Sequence, residues 1–160
     1  MTQRLLALGT LMAIATIGAH AQKTYTSASS FLADAKLSYS DDFTSVADGA
    51  FAGTYTAAGG SGLGFSVAAT DGLWSVGGGN ISTSSAGNSM TVNFTGGVNM
   101  VGGSFWAADM DGVATPGTVT LTFSDGGSYT SASSDFFGYS NANAWLTSMT
   151  LSLDSEYIDG

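Results

Sequence analysis

The chain has 160 residues, of which 44% are hydrophobic; it carries 12 Asp and Glu against three Lys and Arg, one His and no Cys. Without cysteine there is no disulfide framework and no cysteine-bound zinc, and with so few cations nucleic acid and anionic lipid surfaces are unsuited as partners. Sparse charge with this apolar content excludes a disordered chain and predicts one core that stands without staples.

Met1 to Ala21 has the layout of an export signal. Arg4 forms a short charged start, Leu5 to Ile17 is apolar, and Ala19-His20-Ala21 is the small-x-small pattern cut by signal peptidase. The run is too short to span a bilayer and is not amphipathic at helical spacing. Residues 1–21 are therefore expected to be removed, leaving residues 22–160 as one secreted, extracellular domain. Cleavage would take away Arg4 and His20, leaving Lys23 and Lys36 as the only cationic side chains. A Ser-His-Asp or Cys-His centre would then have no imidazole to act as base.

Residues 29–36, Ser-Ser-Phe-Leu-Ala-Asp-Ala-Lys, predict one short serine-capped helix with Phe31, Leu32 and Ala35 on its buried face. From Leu37 the period becomes two. Leu37, Tyr39, Asp41 and Phe43 alternate with small or polar residues. So do Met90, Val92 and Phe94; Val119, Leu121 and Phe123; and Met149, Leu151 and Leu153. An apolar face backed by hydroxyls is the mark of a half-buried antiparallel strand. Turn signals separate the runs, among them Asp71-Gly72, Asp111-Gly112, Pro116-Gly117 and Asp125-Gly126-Gly127; Gly59 to Gly64 reads as a loop between strands. The expected fold is all-β: an antiparallel β-sandwich or jelly roll with one short N-terminal helix.

The order of these segments is familiar. Thr24 to Ala35 followed by Tyr39 to Val46, then Phe94 to Gly112, Pro116 to Gly126, Phe136-Phe-Gly-Tyr139 and Leu146 to Leu151, resembles secreted bacterial proteins of the PEP-CTERM sorting class and their unanchored relatives. The resemblance runs over nearly all of residues 22–160. It implies a jelly-roll or galactose-binding-like sandwich, often with calcium, and usually without an assigned biochemical role. It departs at the C-terminus. No sorting helix with basic residues follows, so no membrane anchor is carried over. The relatives continue into a sheet-closing strand where this sequence ends at Asp159-Gly160, so truncation or a shortened last strand is expected.

The resemblance also implies that an acid at Asp41 or Asp42 and one near the C-terminus, Asp159, meet at one end of the sandwich, with Asp154 and Glu156 nearby. Carboxylates suit calcium, which takes six to eight oxygens. Asp109-Met-Asp111-Gly112 opens like a calcium loop but lacks its later ligands, and a hairpin turn accounts for it better. The Asn80 and Asn93 sequons carry no meaning in a bacterial protein. Glu156 is the single Glu, which leaves a glycosidase acid/base pair hard to place.

Aromatics are the remaining candidates. Adjacent Phe105 and Trp106 point to opposite faces of a strand. Trp74 follows the Asp71-Gly72 turn. Trp145 follows Asn141-Ala-Asn143-Ala, a loop signature, and is expected to be the most exposed. An exposed indole beside Asn143 suits stacking on a sugar ring, with the amide fixing its hydroxyls. The expected function is a secreted, non-catalytic module contacting extracellular polysaccharide or cell-surface matrix. A purely structural or adhesive surface protein is the first alternative, and an Asp/Glu-dependent glycan hydrolase the second.

Overall fold

A computed structural model describes residues 5–15, 22–51, 53–75, 79–85, 87–109, 111–132 and 134–153. The elements, in chain order, are β1 (Leu5–Ala15), β2 (Gln22–Tyr25), α1 (Ala28–Asp34), β3 (Leu37–Asp41), β4 (Gly49–Phe51), β5 (Tyr55–Ala58), β6 (Gly64–Ala69) and β7 (Leu73–Ser75). Then follow β8 (Ile81–Thr83), β9 (Met90–Val98), β10 (Met100–Ala108), β11 (Val119–Phe123), β12 (Ser128–Ser131), β13 (Phe136–Asn141) and β14 (Leu146–Leu153). The strands form two sheets among the described residues. The first runs β2-β13-β10-β1-β8-β7-β4, with β3 also on β1; the second runs β12-β11-β14-β9-β6-β5. The fold is all-β and antiparallel.

The period-two runs become strands whose apolar residues face one shared core. Met90 and Val92 of β9, Val119, Leu121 and Phe123 of β11, and Met149 and Leu151 of β14 are all buried in it. From the first sheet, Leu73, Ile81, Val101, Phe105, Phe137 and Tyr139 join the same cluster. Their hydroxyl-bearing neighbours stay nearer solvent; Thr120 and Thr130, for example, pair across β11 and β12 at 3.3 Å.

The helix is shorter than its sequence pattern predicts. Ser27 caps it, its Oγ accepting the Ser30 N–H at 3.3 Å, and the helix ends at Asp34 with Ala35 already extended. Only Phe31 of the expected face is buried, while Leu32 is 44% exposed. Seven residues make two turns, which present one side chain inward. Phe31 meets Tyr25 and Phe136 edge-on, with centroids at 5.3 and 5.5 Å. Together with Met100 and Met12 it builds a second small core, separate from the shared one.

Two further differences lie around β3. Leu37 is 46% exposed, because it sits at the end of that strand. Phe43 lies beyond β3 with φ of 57°, left-handed backbone that a bulky residue seldom adopts. That conformation turns its ring into the core, against Tyr55 at 5.3 Å and Phe65 at 6.0 Å.

The apolar N-terminal run forms β1, a central strand. One edge pairs with β10, matching Leu5 to Ala108 and Ile14 to Met100, with an irregularity between Leu8 and Leu11. The other edge pairs with β8 at Ala7 and Leu8 and with β3 from Leu11 to Ala15. Leu6, Leu8, Leu11 and Ala13 are fully buried in the shared core. The run has no helical amphipathicity, yet at strand spacing it is sided once the irregularity at Gly9-Thr10 is allowed for. Each leucine contributes about 1.5–3 kcal/mol of burial. Cleavage after Ala21 would remove this strand from the sheet. The strand is a feature of the uncut chain, whereas cleavage concerns its export.

Candidate functional site

The Trp145 turn is built on a polar anchor. Asp125, in the turn between β11 and β12, accepts the Tyr139 hydroxyl at 2.7 Å and the Asn141 amide at 2.6 Å on Oδ2, and the Gly127 N–H at 2.9 Å on Oδ1. Burial alone would raise the Asp125 pKa, but these three donors outweigh it and hold the carboxyl below its ordinary range. Tyr139 is pushed the other way, upward, first by burial and then by its hydrogen bond to the carboxylate. Its ring stacks on Phe123 at 4.2 Å.

Asn141 carries the anchor into the loop. Its N–H donates to Asn99 O at 2.9 Å, and its side-chain oxygen accepts the Asn143 N–H at 3.0 Å. Asn143 itself is exposed. Trp145, two residues on, is 61% exposed. Its six-membered ring lies against Gly97 of β9; a Cβ built on that glycine would stand 3.6 Å from the ring. The indole is thus backed by a bare backbone segment and open elsewhere. Asn143 and Trp145 share one turn. Trp74, 37% exposed, belongs instead to β7 of the first sheet, opposite Ala50.

The two acids after β3 have different surroundings. Asp41 is half-buried; its Oδ1 accepts the Phe43 N–H at 2.8 Å, and its Oδ2 accepts Tyr55 OH at 2.8 Å and Tyr39 OH at 3.4 Å. Burial, reinforced by that carboxylate, pushes Tyr55 up to about 12 and also raises Tyr39. Asp42 is exposed, and the Thr44 hydroxyl and N–H on its Oδ1 lower its pKa. Asp41 is therefore tied to its own tyrosines, and Asp42 is the acid that presents itself outward. Asp159, Glu156 and Asp154 lie outside the described residues. Among the described residues no group of three or more His, Cys, Asp or Glu side chains could hold a metal ion. The Asp109 turn closes on itself, with Oδ1 accepting the N–H groups of Asp111 and Val113 at 3.0 and 2.9 Å.

An open groove of about 470 Å³ crosses the outer side of the first sheet, lined by Gly9, Thr10, Asp42, Asn80, Ser104 and Trp106 among others. Phe105 is buried and Trp106 faces this groove, as their adjacency in a strand requires. The Trp106 ring covers Gly9, and its Nε1 donates to Gly112 O at 3.4 Å. The sequence gives one signal for the groove, the alternation at Phe105-Trp106. It gives none for the floor, which comes from β1.

Comparison with known proteins returned no match: no family model, no curated protein and no solved structure is significantly similar to the chain.

Proposed function

We propose that this chain is an exported, non-catalytic module whose two sheets make a jelly-roll or galactose-binding-like sandwich, and that it contacts extracellular polysaccharide or surface matrix through Trp145 and Asn143. The observation that carries this is the Trp145 indole, 61% exposed and backed by Gly97. An exposed flat ring two residues from an exposed Asn suits a pyranose, whose C–H face stacks while its hydroxyls take hydrogen bonds. No β1 residue lies against the Trp145 ring in the way that Gly9 lies under Trp106, although β1 packs in the same core as Val98 and Leu146 beneath the turn. Trp74, on the other sheet and less exposed, is the lesser candidate for such a contact. The resemblance to unanchored relatives of the PEP-CTERM class agrees with this placement outside the cell, and architecture by itself would not assign it. Calcium belongs to the same proposal as a structural ion at the Asp41–Asp42 corner, with Asp42 the acid best placed to ligate it.

A glycan array run with calcium and then with chelator tests the proposal. Binding lost in Trp145→Ala and kept in Trp74→Ala is the expected result. No binding to any glycan would favour a purely structural or adhesive surface protein. Polysaccharide turnover that disappears in Glu156→Gln would make the protein a hydrolase.

A further inference from the structure

We propose that the first sheet contains an acceptor slot for one separate β-strand. Its resident in the uncut chain is Leu5–Ala15. Once the N-terminus has been cut away, its occupant is an extended, uncharged peptide strand donated in trans.

Three features define the slot. It is paired on both sides: β10 forms one wall, and β8 and β3 together form the other. An empty slot would leave two rows of backbone donors and acceptors without partners, and such edges recruit strands. It is also apolar at depth, since the positions taken by Leu6, Leu8, Leu11 and Ala13 open into the shared core. Finally, it is shaped for a particular sequence. Where the register shifts between Leu8 and Leu11, Gly103 admits the Thr10 carbonyl, and the Trp106 ring lies so close over Gly9 that a Cβ there would stand 3.0 Å from it. Near the start of the slot, Thr83 Oγ1 accepts the Leu6 N–H at 3.3 Å. The ligand class follows: a strand antiparallel to β10, with leucine-like side chains at alternate inward positions, a central glycine and no charge.

A second, independent feature makes the occupant exchangeable. The segment filling the slot is the same one that Arg4 and Ala19-His20-Ala21 mark for removal. A strand that is both central and removable leaves behind a site with its own shape. The chemistry of that site is main-chain pairing combined with alternate apolar pockets.

The test uses the full chain with a specific protease site placed between Ala15 and Gln22. After cutting, the N-terminal peptide should stay with the protein through gel filtration. A fluorescent peptide of residues 5–15, added in excess, should then replace it. The same peptide carrying Leu8→Asp should not be taken up, and one carrying Thr10→Ser should be taken up like the parent. Departure of the peptide with unchanged far-UV circular dichroism and melting temperature would overturn the proposal, because the segment would then not be a core strand. Unfolding on cutting that excess peptide does not reverse would overturn it too. Equal uptake of the Leu8→Asp peptide would show unspecific adsorption and have the same consequence.

Discussion

A side chain on Gly103 would run into the carbonyl oxygen of Thr10, so β10 and β1 meet there through backbone alone. This contact joins the N-terminal segment to the middle of the chain and offers a direct probe of it. Gly103→Ala should destabilise the uncut protein by about 1–3 kcal/mol, as overpacking does. Gly60→Ala is the control, because a Cβ there meets nothing within 4 Å, and it should stay within about 0.5 kcal/mol of the parent. Urea denaturation of both variants decides the matter. Equal, small effects would mean that β1 does not occupy its place beside β10.

The Asp125–Tyr139 pair should give stability a window with two edges. The folded-state pKa of Asp125 is lowered, so its contribution is full above the ordinary carboxylate range and is lost as pH falls through the lowered value. The folded-state pKa of Tyr139 is raised, so its contribution is present below the ordinary tyrosine value, about 10, and is lost as pH rises through the raised one. Tyr139→Phe should remove the alkaline edge due to this pair and lower stability at neutral pH by about 1 kcal/mol. Asp125→Ala should cost about 1–3 kcal/mol, because it strands the Tyr139 hydroxyl and the Asn141 amide. Melting curves at acid, neutral and alkaline pH read both effects. A Tyr139→Phe profile identical to the parent's would show that the pair carries no linked protons.

Much of this framework was legible from local pattern, and the rest depended on distance along the chain. Val119, Leu121 and Phe123 alternate without interruption, and β11 coincides with that run. Asn141 to Ala144 marked a loop, and Trp145 beyond it is exposed. The helix was visible in its serine-rich start, but its cap is Ser27, so Ser29 and Ser30 lie inside it, and the inward side of two turns is too narrow for Leu32 as well as Phe31. Asp41 looked like a free acid because its partners Tyr39 and Tyr55 belong to two different strands, one of them 14 residues away. The strand character of β1 was hidden for another reason. An irregularity at Gly9-Thr10 breaks its period, and its composition matches an export signal as well as it matches a buried strand.

Calcium, if it joins the Asp42 corner, should bind only the folded chain and so raise its melting temperature. At a free concentration about a hundred times the dissociation constant the gain is about 2.7 kcal/mol. Asp42→Asn should abolish the increase and leave the calcium-free stability nearly unchanged, since the side chain is exposed. Asp41→Asn should act differently, lowering stability with or without calcium, because Tyr55 and Tyr39 both donate to that carboxylate. Differential scanning calorimetry with calcium and with chelator separates the two. An unshifted wild-type melting temperature would end the calcium proposal and leave Asp42 as a turn residue held by Thr44.

The three tryptophans should report separately on the proposed sugar contact. Trp145 is 61% exposed and Trp74 37%, while Trp106 is half-buried over Gly9. Acrylamide quenching of the emission should therefore be dominated by Trp145, and Trp145→Phe should remove most of the accessible component. Because most of that ring lies in water, the substitution should change stability by no more than about 0.5 kcal/mol. Phe31→Ala, by contrast, empties the second core and should cost about 3–5 kcal/mol. A glycan that stacks on Trp145 should shield it, lowering the quenching constant of the parent protein and leaving that of Trp145→Phe unaltered. Shielding that persists in Trp145→Phe would move the contact to Trp74 or Trp106 and remove the basis for assigning it to the turn after β13.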